Sequence, residues 1–385
     1  MNRSNLRVLV LGAGFGGLEL SSILSERMGE RLDLTLIDKN DSFFFGYSKL
    51  DVMFGRKSAD SVKFSYKQIR KPGVTFRRER IRSIDPLTRT VVTDGGSYRA
   101  DVLVVALGAD YDIPATPGLA EGGYEFYTFE GAERVRDALP AFRKGHVLIG
   151  VTGFPFKCPP APSETALLLD EYLTRQGIRQ HCRISLVLPY ELPIPPSLGT
   201  SKALLKTFKE KGINYIPDIL VGSIDPGRKV AELDDGREIP FDLFLGIPEH
   251  CVPKVVEESG LVFDEWVPVD HTNLKTRFPG VYAIGDVSSA GVPKSGQFAR
   301  SAAETAAESI LEEFHGRELS VPFPGKSICY VEFGYGNVAL ADVDFFSKQV
   351  ATGFYRNASP ELAEEKKHLE NLLLAQWFNL HQPGI

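Results

Sequence analysis

The sequence predicts an α/β fold of two Rossmann-like, three-layer ββα dinucleotide-binding domains, the second inserted in the first, with a C-terminal β/α interface region. Three observations predict it. A glycine fingerprint follows the first apolar strand, and a second strand–turn–helix unit opens near His146. Two buried runs, Asp101 to Gly108 and Phe241 to Gly246, repeat a strand-then-glycine pattern. The 385 residues exceed what one core comfortably holds. Residues 1–110 and 246–320 are assigned to one discontinuous domain, 111–245 to the second and 321–385 to the C-terminal region.

Leu6 to Leu11 reads as a buried strand, and Gly12-Ala13-Gly14-Phe15-Gly16-Gly17 opens a helix running through about Glu26. Gly12 permits the tight turn, Gly14 lets a pyrophosphate approach, and Gly17 allows the helix to pack closely on the strand. The second strand, Leu32 to Ile37, ends in Asp38, whose carboxylate can accept from a ribose hydroxyl, and Lys39 follows it. Asp41 to Lys63 reads as aromatic-rich and irregular, and Val74 to Val92 as short strands before a turn at Asp94 to Gly96. Helices are expected over Ala132–Phe142, Ser163–Leu173, Lys202–Lys211 and Gly296–Phe314, with a strand over Arg183–Leu188 and a hairpin around Asp234 to Gly236. Phe278 to Asp286 is a short strand ending in Gly285-Asp286.

The second unit departs from the first. After His146 to Val151 its turn holds Phe154-Pro155-Phe156-Lys157-Cys158-Pro159-Pro160-Ala161-Pro162. Proline has no N–H, so four prolines remove donors that a phosphate cradle requires. Only Gly150 and Gly153 remain, which argues against NAD(P)H here. A thiol stands where a phosphate-binding turn would be.

With 43% hydrophobic and 24% charged residues the composition is that of an ordinary globular protein. A net charge of -6, with no basic stripe interleaved with aromatics, gives no support to nucleic-acid binding. No apolar run reaches membrane-spanning length, and Gly12 to Gly17 interrupt the only N-terminal one. The expected location is therefore cytoplasmic, with attachment to the cytoplasmic face of the inner membrane left open. Four dispersed cysteines form no CxxC and no metal-ligand pattern, so no metal is expected. In a reducing compartment a cysteine pair is more plausibly catalytic than structural.

The chain resembles the two-dinucleotide-binding-domain flavoproteins of the pyridine nucleotide-disulfide oxidoreductase superfamily along nearly its whole length. Within them, Phe156-Lys157-Cys158-Pro159-Pro160-Ala161-Pro162-Ser163-Glu164 resembles the cysteine segment of sulfide:quinone oxidoreductases and of the flavocytochrome c sulfide dehydrogenase flavoprotein. Pro293-Lys294-Ser295-Gly296 is similar to the opening of their flavin-facing helix, and Ile328-Cys329-Tyr330 to their distal cysteine. The resemblance implies noncovalent FAD: Gly12, Gly14, Phe15, Gly16, Gly17, Asp38, Lys39 and Gly108 at its nucleotide half, Asp286 at the ribityl chain. No cysteine lies near Phe43 to Tyr47 for covalent attachment.

It further implies that Cys158 and Cys329 form a redox pair flanking the flavin. Sulfide, or a small thiol or persulfide, opens the bridge, and two electrons pass through FAD to quinone or a protein acceptor. Lys157 and the adjacent helix N-terminus are expected to lower the Cys158 pKa. Glu164 is read either as a proton relay or as a helix cap. Lys294 would stabilise reduced flavin near N1–C2=O, beside the Gly296 and Gln297 amides. No third cysteine lies between Asp110 and Thr152, so the chain resembles two-cysteine forms. Cys182 and Cys251 read as structural.

Phe333, Tyr335 and Phe346 are candidates for a quinone pocket, with core packing as the other reading. Glu361 to Leu380 reads as a helix with Leu369, Leu372, Leu373, Trp377 and Phe378 on one apolar face, open to a peripheral membrane contact, a partner such as a second copy, or the protein's own core. An NAD(P)H-dependent quinone or disulfide reductase and a non-catalytic flavoprotein redox sensor are the competing functional readings.

Overall fold

The computed structural model describes residues 5–378. Valine-, leucine- and isoleucine-rich runs buried on both faces form two five-stranded parallel sheets, each covered by helices on one face and by a three-stranded antiparallel sheet on the other. The first sheet runs in the order Val281–Ala283, Val102–Val105, Leu6–Leu11, Leu32–Asp38, Val74–Arg78. Its chain order reverses around Leu6–Leu11, which pairs with Leu32–Asp38 on one side and Val102–Val105 on the other. Such a switch point opens a crevice at the carboxyl ends of the strands.

The second sheet repeats the plan: Tyr124–Glu125, Leu243–Ile247, Gly145–Val151, Cys182–Val187, Ile213–Ile216, all parallel. An antiparallel ribbon of Asp110–Asp112 with Glu249–Cys251 lies where the chain enters and leaves this sheet. Lys326–Gly334, Asn337–Asp344 and Thr352–Ser359 form an antiparallel sheet, followed by the helix Pro360–Phe378.

Some expected elements differ. The segment 41–63 is not irregular throughout, because Ser48–Met53 forms a helix whose six residues are all buried. The helix expected from Ala132 begins at Phe129, where the Thr128 hydroxyl accepts the Gly131 N–H at 2.8 Å. The helix expected from Ser163 runs Ala161–Arg175, with Pro162 in its first turn.

The C-terminal helix turns its aromatic end into the protein's own core. Trp377 and Phe378 are buried, the indole lying edge-on to Phe15 and Phe43 at 5.7 and 5.4 Å. Its N–H donates to Glu19 at 2.6 Å. The last two positions of the expected helix, 379 and 380, lie outside the described residues. Among the described residues no helix is long and apolar enough to cross a membrane.

Candidate active site

A cavity of about 950 Å³ runs along the crevice of the first sheet to the cysteine turn of the second. At one end the glycine turn is shaped by contact. A Cβ on Gly12 would lie 2.4 Å from the Ala106 carbonyl oxygen, and one on Gly17 would lie 1.9 Å from that of Gly12. Gly14, by contrast, faces open space. Asp38 accepts the Ala13 and Asn40 N–H groups at 2.9 and 2.8 Å and lines the cavity beside Lys39. Gly108 lines the wall between them and the far end.

Farther along, Asp286 holds a buried Oδ1 with no hydrogen-bond partner, an acceptor that needs a donor. Gly296 opens the next helix against the Phe15 ring, which a Cβ there would meet at 2.8 Å. Gly16 packs on Ile284 behind this wall. An open glycine turn at a helix start, a strand-end carboxylate and an orphaned carboxylate oxygen one cavity-length away fit FAD, which needs separate anchors for its diphosphate and ribityl halves.

Both thiols line the same cavity. Cys158 and Cys329 are half-buried, line the cavity together, and neither is disulfide-bonded. Cys158 stands in the left-handed region at φ 57°, held by its N–H on the Lys294 carbonyl and its own carbonyl on the Ala161 N–H, both at 2.8 Å. Cys182, whose thiol donates to the Ile178 carbonyl, and Cys251 both lie away from the cavity.

The expected lowering of the Cys158 pKa is reversed. Burial pushes this thiol well above its ordinary range, and the charges of Glu164 and Cys329 push further. Cys329 is likewise raised by burial, then by Glu164, to about 12. Lys157 does not serve Cys158, because its ammonium lies 4.5 Å over the Tyr111 ring. The cation that favours the Cys158 thiolate is Lys49.

Glu164 is not a helix cap. It is buried, and its Oε1 accepts the backbone N–H of Glu332 at 2.9 Å, joining the helix Ala161–Arg175 to the strand that carries Cys329. Burial raises its pKa to about 7, while Lys366 opposes the rise. Glu332 pairs with Lys366 at 2.7 Å and Arg56 at 3.2 Å. Lys294 also departs from expectation. Its ammonium donates to the carbonyls of Asp286 and Ser288 at 2.6 and 3.4 Å, 3.1 Å over the Trp266 ring. It braces the Asp286 turn, while Pro293, Ser295, Gly296 and Gln297 line the main cavity.

The aromatic candidates for an acceptor pocket do not line the cavity. Phe333 is core, the Tyr335 hydroxyl donates to Asp170 at 3.1 Å, and Phe346 stacks on His271 at 6.0 Å. The C-terminal side of the cavity is instead walled by Tyr330, Val343, Phe345, Leu369 and Leu373, with Lys366 and Tyr47 beside them. Sequence reasoning missed Lys49, Tyr127 and Lys366, since none sits in a motif. The turn that would cradle a second dinucleotide is filled, a Cβ on Gly153 meeting the Glu249 backbone at 2.5 Å.

Two dinucleotide-type sheets with a flavin-sized crevice ending at two thiols define a flavin-dependent oxidoreductase. Residues 6–306 match the family model described as pyridine nucleotide-disulphide oxidoreductase, and the chain belongs to that family. It is an FAD-binding enzyme. It is similar to the mitochondrial sulfide:quinone oxidoreductase of Mus musculus, 26% identical over 91% of this chain and 80% of the relative. The corresponding Dictyostelium discoideum enzyme is 23% identical over 88% and 78%. The sulfide:quinone oxidoreductase structure from Aquifex aeolicus superposes with a TM-score of 0.84 at 23% identity, covering 97% of this chain and 92% of that one.

These relatives overturn the expected cytoplasmic location, since those named from Mus musculus and Dictyostelium discoideum are mitochondrial and point there instead. The expectation rested on the lack of an apolar leader. A mitochondrial address is amphipathic and arginine-rich, so that criterion did not test it.

Proposed function

We propose that the protein is a sulfide:quinone oxidoreductase working through a Cys158–Cys329 redox pair. The observation that carries the reading is that both thiols face one cavity whose other walls are Gly14, Asp286 and Gly296. When bound, FAD supplies a two-electron carrier between a sulfur donor and a quinone.

The protein's part is sulfur chemistry. Hydrosulfide attacks one sulfur of the bridged pair, the S–S bond breaks, and one cysteine is left as a persulfide and the other as a thiolate. With FAD bound as the two-electron acceptor, persulfide and thiolate would close into a bridge longer by one sulfur, releasing one proton. Their raised pKa values hold both cysteines, when reduced, as neutral thiols, so a base must take a proton before either stands as a thiolate. Glu164, with a pKa near 7 and in electrostatic contact with both sulfurs, is placed to take and return protons. The apolar chamber at Tyr330, Phe345 and Leu369 suits a quinone ring, with Lys366 as the polar group at its side. Quinone reduction consumes the electron pair and two protons.

The ribbon 110–112/249–251 is the natural boundary for the inserted domain proposed over 111–245. The filled turn at Gly153 and Glu249 disfavours NAD(P)H as donor. Anaerobic bleaching of the flavin absorbance tests the function. Sulfide should bleach it and NADH should not; the opposite outcome would make the protein an NADH-dependent reductase.

A further inference from the structure

Beside Cys158 the cavity wall carries a donor with nothing to donate to. Tyr127 is 4% exposed, and its hydroxyl is buried without a hydrogen-bond partner. An orphaned buried hydroxyl at a cavity wall marks a place for a ligand. The surrounding structure fixes the ring. Its backbone carbonyl accepts both the Lys49 ammonium and the Tyr111 hydroxyl, the latter at 3.1 Å. Its ring lies edge-on to His250 at 5.4 Å and to Tyr111 at 6.2 Å.

Burial holds the Tyr127 hydroxyl in its neutral, donating form, and Cys158 is among the groups close enough to act on it. Lys49 completes the corner. Its ammonium lies 5.6 Å from the Tyr127 ring centre, is buried, and feels Lys157, Glu125, Cys158 and Asp286. Lys49, Tyr127 and Cys158 all line the one cavity.

We propose that the Tyr127 hydroxyl and the Lys49 ammonium form an anion-holding subsite that seats hydrosulfide against Cys158. This rests on the sulfide-oxidising reading above. A neutral hydroxyl donor and a buried cation line the same cavity as the bridge that a small anion must attack. Neither group needs an acceptor from the protein for the purpose, since Lys49 keeps two of its three donors beyond the Tyr127 carbonyl. Burial lowers the Lys49 pKa to about 7, so an arriving anion stabilises its charged form at neutral pH.

The test is anaerobic stopped-flow reduction of the FAD-loaded protein over a range of sulfide concentrations, comparing wild type with Tyr127→Phe, Lys49→Met and Lys49→Arg. Loss of a hydrogen bond to an anion predicts a half-saturating sulfide concentration raised roughly tenfold or more in Tyr127→Phe and Lys49→Met. The limiting rate of Tyr127→Phe should stay within about threefold, and Lys49→Arg should recover most of the affinity lost in Lys49→Met. FAD content reports folding; if Lys49→Met loses its flavin, the near-isosteric Tyr127→Phe decides alone. Half-saturation within twofold of wild type in Tyr127→Phe would overturn the subsite while leaving the function intact. A wild type that sulfide does not reduce at all would remove the function, and the subsite with it.

Discussion

The Cys158 amide donates to the Lys294 carbonyl at 2.8 Å. One bond therefore ties the thiol turn of the second sheet to the loop that opens the helix Gly296–Phe314 on the cavity wall. The same lysine turns its ammonium back onto the Asp286 carbonyl, so thiol turn and carboxylate turn are set by one residue. A left-handed φ at Cys158, costing on the order of 1 kcal/mol in an L-residue, is held in place by this bond and by the Ala161 amide.

Asp286→Ala should lose its cofactor. The buried Oδ1 finds a donor only when the cavity is filled, and a hydrogen bond to a charged group is worth about 1.5–3 kcal/mol. FAD affinity should fall roughly tenfold to a hundredfold in a fluorescence titration. Acid precipitation of wild type should release yellow cofactor into the supernatant; cofactor retained in the pellet would mean covalent attachment.

Gly14 and Gly17, three positions apart, should behave differently. Gly17→Ala drives a methyl onto the Gly12 carbonyl and should destabilise the apo protein by about 3 kcal/mol or more. Gly14→Ala faces open space and should leave apo stability within about 1 kcal/mol, yet weaken FAD binding. Thermal melts with and without FAD separate the two.

Much of the nucleotide end was legible because its chemistry is local. Gly12 to Gly17, Asp38 and the Gly285-Asp286 turn are short motifs whose spacing alone fixes their geometry. The thiol end was half legible. Cys158 and Cys329 were found by motif, but their electrostatics were misassigned to Lys157, the neighbour in sequence. Consecutive side chains diverge, and Lys157 reaches Tyr111 while Lys49, 109 positions upstream of Cys158, is the cation that acts on the sulfur. The Glu164–Glu332 bond spans 168 residues and the Lys49–Tyr127 contact 78, separations that no local pattern encodes. Pocket and core stayed open as readings for Phe333, Tyr335 and Phe346, because the sequence does not say which way an aromatic side chain turns until the sheet has packed.

Trp377→Ala should cost about 3–5 kcal/mol, as for a fully buried indole. The ring also packs on Phe15 and Phe43, which line the cavity, so FAD retention should fall with stability. Chemical denaturation with parallel flavin fluorescence checks both; a stable variant that keeps its flavin would show the C-terminal helix to be dispensable.

Glu164 sets a pH dependence. Its folded pKa, about 7, lies above the ordinary 4.5, so the unfolded chain releases this proton first as pH rises. The group's contribution to stability is full below pH 4.5 and is lost as pH climbs towards 7. Glu164→Gln should flatten that segment of the stability–pH curve and remove an inflection near pH 7 from the rate of sulfide-driven reduction. An unchanged profile would assign the inflection elsewhere.

The most direct measurement is anaerobic sulfide titration of Cys158→Ser loaded with FAD. The variant should fold and hold its flavin, yet show sulfide-dependent bleaching slowed by at least about a hundredfold. Cys329→Ser should match it, and the double variant should be scarcely worse, because groups acting as a unit are not additive. Bleaching of Cys158→Ser at the wild-type rate would contradict the account and leave the thiol without a part in electron transfer.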